Sequence, residues 1–101
     1  MALQKLVRDK IPEIIRNSGY EPVTRVLDDG EYVAELEKKL DEEVAEYHES
    51  KSVEELADIL EVVYALCEAQ GKTVNELMDV YEKKHDERGG FKEKIFLISK
   101  K

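Results

Sequence analysis

The fold is decided by two neighbouring stretches, KKLDEEVAEYHE at residues 38–49 and SVEELADILEVV at residues 52–63. Both have apolar residues at helical spacing, and each carries two acidic residues three positions apart. The pairs are Glu43 with Glu46 and Glu55 with Asp58, and eight residues separate them. Two helices joined by so short a link would pack side by side. The four carboxylates would then converge, and a hard divalent cation such as magnesium would bind them.

The helix boundaries follow from apolar periodicity and from residues that start and stop helices. The first long helix is predicted over about residues 31–49, and the second over about 52–70, ending before a glycine. A third is predicted over about 73–89, also ending at glycine. Two of these helices begin with a capping-box match, Ser52 with Glu55 and Thr73 with Glu76.

The segments outside these helices predict a short helix and a small β appendage. Asp9 is a candidate cap for the short helix, which would end at Gly19. PVTRVL at residues 22–27 and KIFLIS at residues 94–99 are rich in β-branched and aromatic residues, and a turn is predicted at 28–30. The two strands would pair, because an isolated strand leaves its backbone groups unpaired. We therefore expect a mainly α fold, a helical hairpin plus a third long helix, with a short two-stranded β appendage.

The composition predicts one small acidic domain over residues 1–101. With 16 basic and 24 acidic residues, the net charge of −8 argues against binding to a nucleic-acid polymer. The single cysteine, Cys67, allows no intrachain disulfide, and no apolar run is long enough for a membrane span. A cytoplasmic protein is expected. The second helix is apolar over so much of its circumference that we also expect a homodimer.

Helical phase distinguishes the paired acids from the other acids. Glu43 lies about 60° from the centre of the apolar stripe of its helix, and Glu46 lies on the same flank. Glu55 and Asp58 lie beside a nearly wrap-around apolar face, where an acid is partly desolvated and needs a cation or a basic partner. Three other acids of the first helix are expected to lie farther toward solvent, Glu35, Glu42 and Glu49. A purely structural role for the two acidic pairs stays open. Glu55 also matches a capping box, and acids three positions apart arise by chance in a chain with many carboxylates.

Both ends of the chain carry groups suited to phosphate, because arginine forks and glycine amides bind phosphate oxygens. Each could also be a solvated surface charge, and the RGGF sequence could be only a helix C-cap and turn. His48 and His85 are interpreted as surface residues. The predicted phosphate-binding residues are Lys5, Arg8, Lys10, Lys84, Arg88, Gly89 and Gly90.

The acids and their flanking segments resemble a known superfamily. The ExxE and ExxD pairs match the signature of the all-α nucleoside triphosphate pyrophosphohydrolases, which include MazG-like enzymes, phosphoribosyl-ATP pyrophosphohydrolases and dimeric dUTPases. KLVRDKIPEII at 5–15, EELADILEVVYAL at 54–66 and RGGFKEKIFL at 88–97 are similar to the MazG-like, phosphoribosyl-ATP pyrophosphohydrolase-like branch. The similarity runs through nearly the whole chain.

The resemblance implies an all-α pyrophosphatase-like bundle and a house-cleaning hydrolase. It implies that magnesium, or manganese, is held by Glu43, Glu46, Glu55 and Asp58. It also implies cleavage between the α- and β-phosphates, which releases a nucleoside monophosphate and pyrophosphate. Glu46 or Glu43 would accept the proton of the attacking water. Lys84 and Arg88 fall where relatives keep basic phosphate contacts, and relatives form dimers or dimer-based tetramers.

Three other functions stay open at this point. The first is phosphoribosyl-ATP pyrophosphohydrolase activity in histidine synthesis, which uses the same chemistry on another substrate. The second is a helical regulatory module that binds nucleotide without cleaving it. The third is an oligomeric interaction module, for which no metal binding by the acids is expected.

Overall fold

The computed structural model describes residues 4–101, and all the regular structure in that range is helical. Four helices follow one another: α1 at Ile11–Asn17, α2 at Asp29–Ser50, α3 at Val53–Ala69 and α4 at Val74–Arg88. The helical hairpin predicted from the sequence is α2 with α3, and the predicted third long helix is α4. None of the helices in the described range combines the length and the apolar composition that crossing a membrane requires.

The prediction of a two-stranded β appendage is wrong. Within the described range, neither residues 22–27 nor residues 94–99 form a strand, and no backbone hydrogen bond joins the two segments. Most of their apolar side chains are exposed to solvent: Val23 is 97% exposed and Phe96 is 88% exposed. β-Branched and aromatic residues favour strands because they pack on a half-buried pleated surface. Neither segment packs against such a surface or a partner strand here, so β propensity alone does not produce the appendage.

The centre of the fold is the hairpin of α2 and α3. Lys51 and Ser52 form a two-residue link, and Lys51 takes the left-handed backbone conformation, with φ of 56°, that ends α2. A link this short makes neighbouring helices antiparallel. In the part of the chain that the structure describes, the buried apolar side chains are Leu36, Val62 and Cys67.

The start of α2 differs from the prediction. The Asp28 carboxylate accepts a 2.8 Å hydrogen bond from the backbone N–H of Glu31, and the Glu31 carboxylate accepts a 3.4 Å bond from the N–H of Asp28. This reciprocal capping box starts α2 at Asp29, inside the segment that the sequence predicted as a turn. Asp9 does not cap α1, because the cap position is Lys10, which has no side-chain capping bond.

The two capping boxes predicted for α3 and α4 are only half formed. The hydroxyls of Ser52 and Thr73 accept hydrogen bonds from the N–H groups of Glu55 and Glu76, at 3.3 Å and 3.1 Å. In the described part of the chain, neither glutamate carboxylate returns a bond to its cap residue. The Glu55 carboxylate is therefore not committed to capping and is available to the α2–α3 interface.

The third long helix, α4, packs against α3 and leaves the molecule elongated. No residue of α4, which lies wholly within the described range, is buried. The described chain measures 60 × 32 × 23 Å, and its radius of gyration of 17.8 Å exceeds the roughly 13 Å of a compact domain of this size. Apolar side chains of α3 and α4 are consequently open to solvent, including Leu60 at 48% and Tyr81 at 56% exposure.

Candidate metal-binding site

The α2–α3 interface brings the predicted acids together. One carboxylate oxygen each from Glu43, Glu55 and Asp58 lies within 4.8 Å of the other two. A second group, Glu42, Glu43 and Glu46, meets the same limit. Because Glu43 belongs to both groups, it links the acids of α2 to the acids of α3. The structure therefore places all four predicted metal ligands, together with Glu42, in one continuous cluster, which we call the acid cluster.

The hairpin itself explains this convergence. Glu43 and Glu46 lie one turn apart on α2, so their side chains leave the same face of the helix. The Ser52 cap begins α3 at Val53, which places Glu55 in the first turn and faces it toward α2. Glu43 is only 6% exposed, although it is an acid in a chain with little core. Helix packing, which normally buries apolar residues, here buries a carboxylate.

Two carboxylate oxygens in the acid cluster lack a partner. Glu43 Oε2 and Glu55 Oε2 are buried, and neither has a hydrogen-bond partner among the described residues. The other oxygen of Glu43, Oε1, lies 3.5 Å from Lys39 Nζ. Buried polar atoms in folded proteins are nearly always hydrogen-bonded, and an unpaired one reduces stability. Two such oxygens at one interface indicate that a proton or a cation belongs between the helices.

The electrostatics of the acid cluster disfavour negative charge in the absence of a cation. Burial raises the pKa of Glu43, and the charge of Glu46 raises it further, while Lys39 opposes the change. The pKa of Glu55 rises from 4.5 to about 7, first because of desolvation and then because of the charge of Glu46. A divalent ion would reverse this preference, because a nearby positive charge favours the ionised carboxylate.

The donor set fits a hard cation. Within the described range, both ligand groups consist only of carboxylates, without histidine or cysteine. Oxygen ligands suit magnesium and manganese, whereas zinc sites usually include nitrogen or sulfur. Magnesium keeps several water molecules and binds proteins through a few carboxylates. The oxygen donors of the acid cluster are therefore of the type that hard divalent cations prefer.

Two of the three basic residues that were predicted to bind phosphate in the N-terminal segment form ion pairs with acidic residues. Arg8 Nη1 donates a 3.1 Å hydrogen bond to Asp58 Oδ1, and Arg8 Nη2 lies 3.6 Å from Glu61 Oε1. Lys5 Nζ lies 3.6 Å from Glu42 Oε1. The segment before α1 therefore lies along the acid cluster and neutralises part of its charge.

The other predicted phosphate-binding residues lie elsewhere. Lys10 is the cap residue of α1, and it makes no ion pair with any residue in the range 4–101. An open groove of about 610 Å³ lies at the end of α4, where the rings of Tyr81 and His85 stack with centroids 6.0 Å apart. No acid of the cluster is among the described residues that line it. The residues lining this groove, the α4 groove, are Tyr81, Lys84, His85, Arg88, Gly89, Gly90 and Phe91.

Sequence reasoning missed two members of the site. Glu42 was expected to lie toward solvent, yet it joins the α2 ligand group and contacts Lys5. Lys39 was not predicted at all, although it lies within 3.5 Å of both Glu42 and Glu43. The usable signal was helical spacing, because Glu42 precedes Glu46 by four residues and Lys39 precedes Glu43 by four.

One comparison with known proteins finds a partial relative. An uncharacterized protein of Mycolicibacterium smegmatis is 64% identical over 44 residues. The match covers 44% of the chain and 45% of that protein, so the chain spans less than half the length of the relative that it matches. No protein-family model matches the sequence, and no solved structure matches it either.

Proposed function

We propose that the chain is a magnesium-dependent nucleotide pyrophosphohydrolase. It would cleave the bond between the α- and β-phosphates of a nucleoside triphosphate or a related nucleotide, giving a monophosphate and pyrophosphate. The observation that carries the proposal is the buried Glu43 carboxylate, which has one unpaired oxygen and lies within 4.8 Å of Glu55 and Asp58. The resemblance to the all-α nucleoside triphosphate pyrophosphohydrolases supplies the reaction.

The ligands for the metal would be Glu43, Glu46, Glu55 and Asp58. When bound, magnesium supplies positive charge for the phosphate oxygens and acidifies a bound water. The two buried, unpaired oxygens support this assignment, because an all-carboxylate interface without a cation is electrostatically unfavourable. A net charge of −8 would otherwise repel a polyanionic nucleotide, so a cation site also explains how an acidic chain accepts such a substrate.

The general base would be Glu46, with Glu43 as the alternative. Glu46 belongs to the ligand group on α2 but not to the group that joins Glu43 to Glu55 and Asp58. Glu46 therefore belongs to one ligand group, whereas Glu43 belongs to both. Glu46 is half-buried, so water reaches it more easily than it reaches Glu43. A carboxylate in this position would orient the attacking water and accept its proton.

Phosphate binding would fall to the α4 groove. Lys84 and Arg88 offer cationic donors, and Gly89 and Gly90 lie beside them with accessible backbone. The acid cluster does not line this groove, so the substrate would contact the acid cluster and the α4 groove in one of two ways. Either the nucleotide spans both, or a second copy of the chain brings its groove to the acids. The exposed apolar faces of α3 and α4 support a homodimer or a dimer-based tetramer.

Pyrophosphate release over a nucleotide panel tests the proposal. The panel includes the canonical and modified triphosphates and phosphoribosyl-ATP, each with magnesium, with manganese and with a chelator. Glu43→Gln is compared with Glu49→Gln, which changes an exposed acid of the same helix outside both ligand groups. We expect metal-dependent turnover that the first substitution abolishes and the second preserves. Turnover that is absent on every nucleotide, independent of metal, or equal in Glu43→Gln would refute the proposal.

A further inference from the structure

We propose that Arg8 is an exchangeable counter-ion of the acid cluster. It pairs with Asp58 when the metal is absent, and metal binding releases its guanidinium to bind a phosphate oxygen of the substrate. This inference rests on the proposed function, because it requires that Asp58 binds the metal. The sequence predicted only that Arg8 binds phosphate. The inference adds Asp58 as a second partner and an order of events, in which metal binding releases Arg8 before it binds phosphate.

The contact between Arg8 and Asp58 has the features of an exchangeable pair. The 3.1 Å bond joins side chains that are 60% and 38% exposed, and such pairs contribute little to stability. Asp58 also belongs to the ligand group of Glu43 and Glu55, so the same carboxylate faces both the guanidinium and the metal position. A divalent ion on this carboxylate would repel the guanidinium at short range. The ion therefore competes with Arg8 for Asp58.

Two further contacts would keep the released guanidinium near the site. Arg8 Nη2 lies 3.6 Å from Glu61 Oε1, and Glu61 follows Asp58 by three residues on α3, next to it on the helix surface. The backbone carbonyl of Arg8 accepts a 3.0 Å hydrogen bond from the N–H of Ile11, which ties Arg8 to the start of α1. If the bond to Asp58 is lost, the Arg8 guanidinium therefore stays beside the acid cluster, and its N–H donors can bind a phosphate oxygen.

Exchange predicts opposite effects of one substitution on two ligands. Arg8→Gln removes the competitor, so magnesium alone should bind about two- to fivefold more tightly. The same substitution removes a charged donor to phosphate, so pyrophosphate should bind the magnesium-saturated protein about tenfold more weakly. A merely structural role for Arg8 would weaken both ligands together, because it would damage one shared site.

Titration calorimetry of the full chain measures both affinities, first with magnesium chloride and then with pyrophosphate on the magnesium-saturated protein. The control is Arg16→Gln, which removes the same charge from an exposed arginine that makes no ion pair within residues 4–101. We expect Arg16→Gln to match the wild type for both ligands. Tighter magnesium binding in both variants would indicate general electrostatics and would overturn the exchange, as would unchanged binding in Arg8→Gln.

Nuclear magnetic resonance of the arginine side chains follows the exchange in the wild-type protein, without any variant. We expect the Arg8 Nη–H signals to shift and lose protection from solvent exchange as magnesium saturates the site, because Nη1 donates to Asp58. Arg25 is the internal reference, because it makes two bonds to Glu31, at 2.8 Å and 3.2 Å, outside the acid cluster. An Arg8 signal that stays unchanged at saturation would overturn the inference alone. Absence of magnesium binding by the wild type would overturn the proposed function as well.

Discussion

Glu43 and Glu55 face each other across the α2–α3 interface, and each has a buried carboxylate oxygen that no hydrogen-bond donor in residues 4–101 satisfies. The two helices pack together because packing buries their apolar side chains. The contact between these two carboxylates, in contrast, reduces the stability of the fold. Residues that reduce stability at a packed interface are expected where function requires them. The stability of the hairpin therefore does not account for the acid cluster, and the proposed metal site rests on this contact.

The first prediction concerns stability without metal. Glu43→Gln should raise the free energy of unfolding of the metal-free protein by about 1 kcal/mol, because it removes a buried charge with an unpaired oxygen. Lys39 keeps Glu42 as a partner at 3.5 Å, so the substitution leaves no buried lysine unpaired. Urea unfolding with a chelator measures the change, with Glu49→Gln as control. A destabilised Glu43→Gln variant under these conditions would contradict this account of the acid cluster.

The second prediction is a pH dependence due to Glu55. Its pKa of about 7 in the folded protein lies above the ordinary value of 4.5 that applies to the unfolded chain. Between these values the folded state binds more protons, so the free energy of unfolding of the metal-free protein falls as pH rises from about 4.5 to about 7. Urea unfolding across this range measures the slope, which should be smaller in Glu55→Gln. An equal slope in that variant would show that another group titrates.

Some elements of this fold follow from local sequence patterns, and others do not. The hairpin could be predicted because an apolar stripe, a cap and a short link are all local features of residues 31–70. The β appendage could not, because β propensity says nothing about whether residues 22–27 and 94–99 have partners. The same limit applies to capping: Ser52 and Glu55 match a capping box in sequence, but in the structure the glutamate turns toward α2.

The sequence also predicts the acid cluster only in part. Helical phase placed Glu43 at the interface and the structure buries it there, because phase depends only on spacing along one helix. The approach of Arg8 to Asp58 joins residues that are 50 positions apart, so no local pattern contains it. Phase relative to the apolar stripe placed Glu42 toward solvent, although its spacing of four residues from Glu46 puts both on one face of α2, where they join one ligand group.

The third prediction concerns the capping box of α2. The hydrogen bond from Arg25 and then the backbone N–H of Asp28 lower the pKa of Glu31 from 4.5 to about 2. The unfolded state binds more protons between these values, so this contribution to stability is complete above pH 4.5 and is lost as pH falls through about 2. Thermal unfolding should show a weaker acid dependence for Glu31→Gln than for the wild type. Glu37→Gln, an exposed acid of the same helix, is the control and should keep the full dependence.

The fourth prediction concerns the open face between α3 and α4. A groove of about 360 Å³ on this face is lined by apolar and aromatic side chains, among them Leu60 and Tyr81, which are about half exposed. Apolar surface of this kind is unfavourable in water, and a second copy of the chain would cover it. Light scattering at micromolar concentration should therefore give the mass of a dimer or of a dimer-based tetramer.

Leu60→Glu tests whether this groove forms the subunit interface. A glutamate there would be buried without a partner on association, so the dissociation constant should rise by about a hundredfold or more. Val80→Glu introduces the same charge on α4 at an exposed position that does not line the groove, and it should leave the mass unchanged. If the wild type is a monomer, or if both variants dissociate equally, the groove is not the interface. Should Leu60→Glu be monomeric but still bind magnesium, the acid cluster would be complete within one subunit, and a partner would contribute no metal ligand.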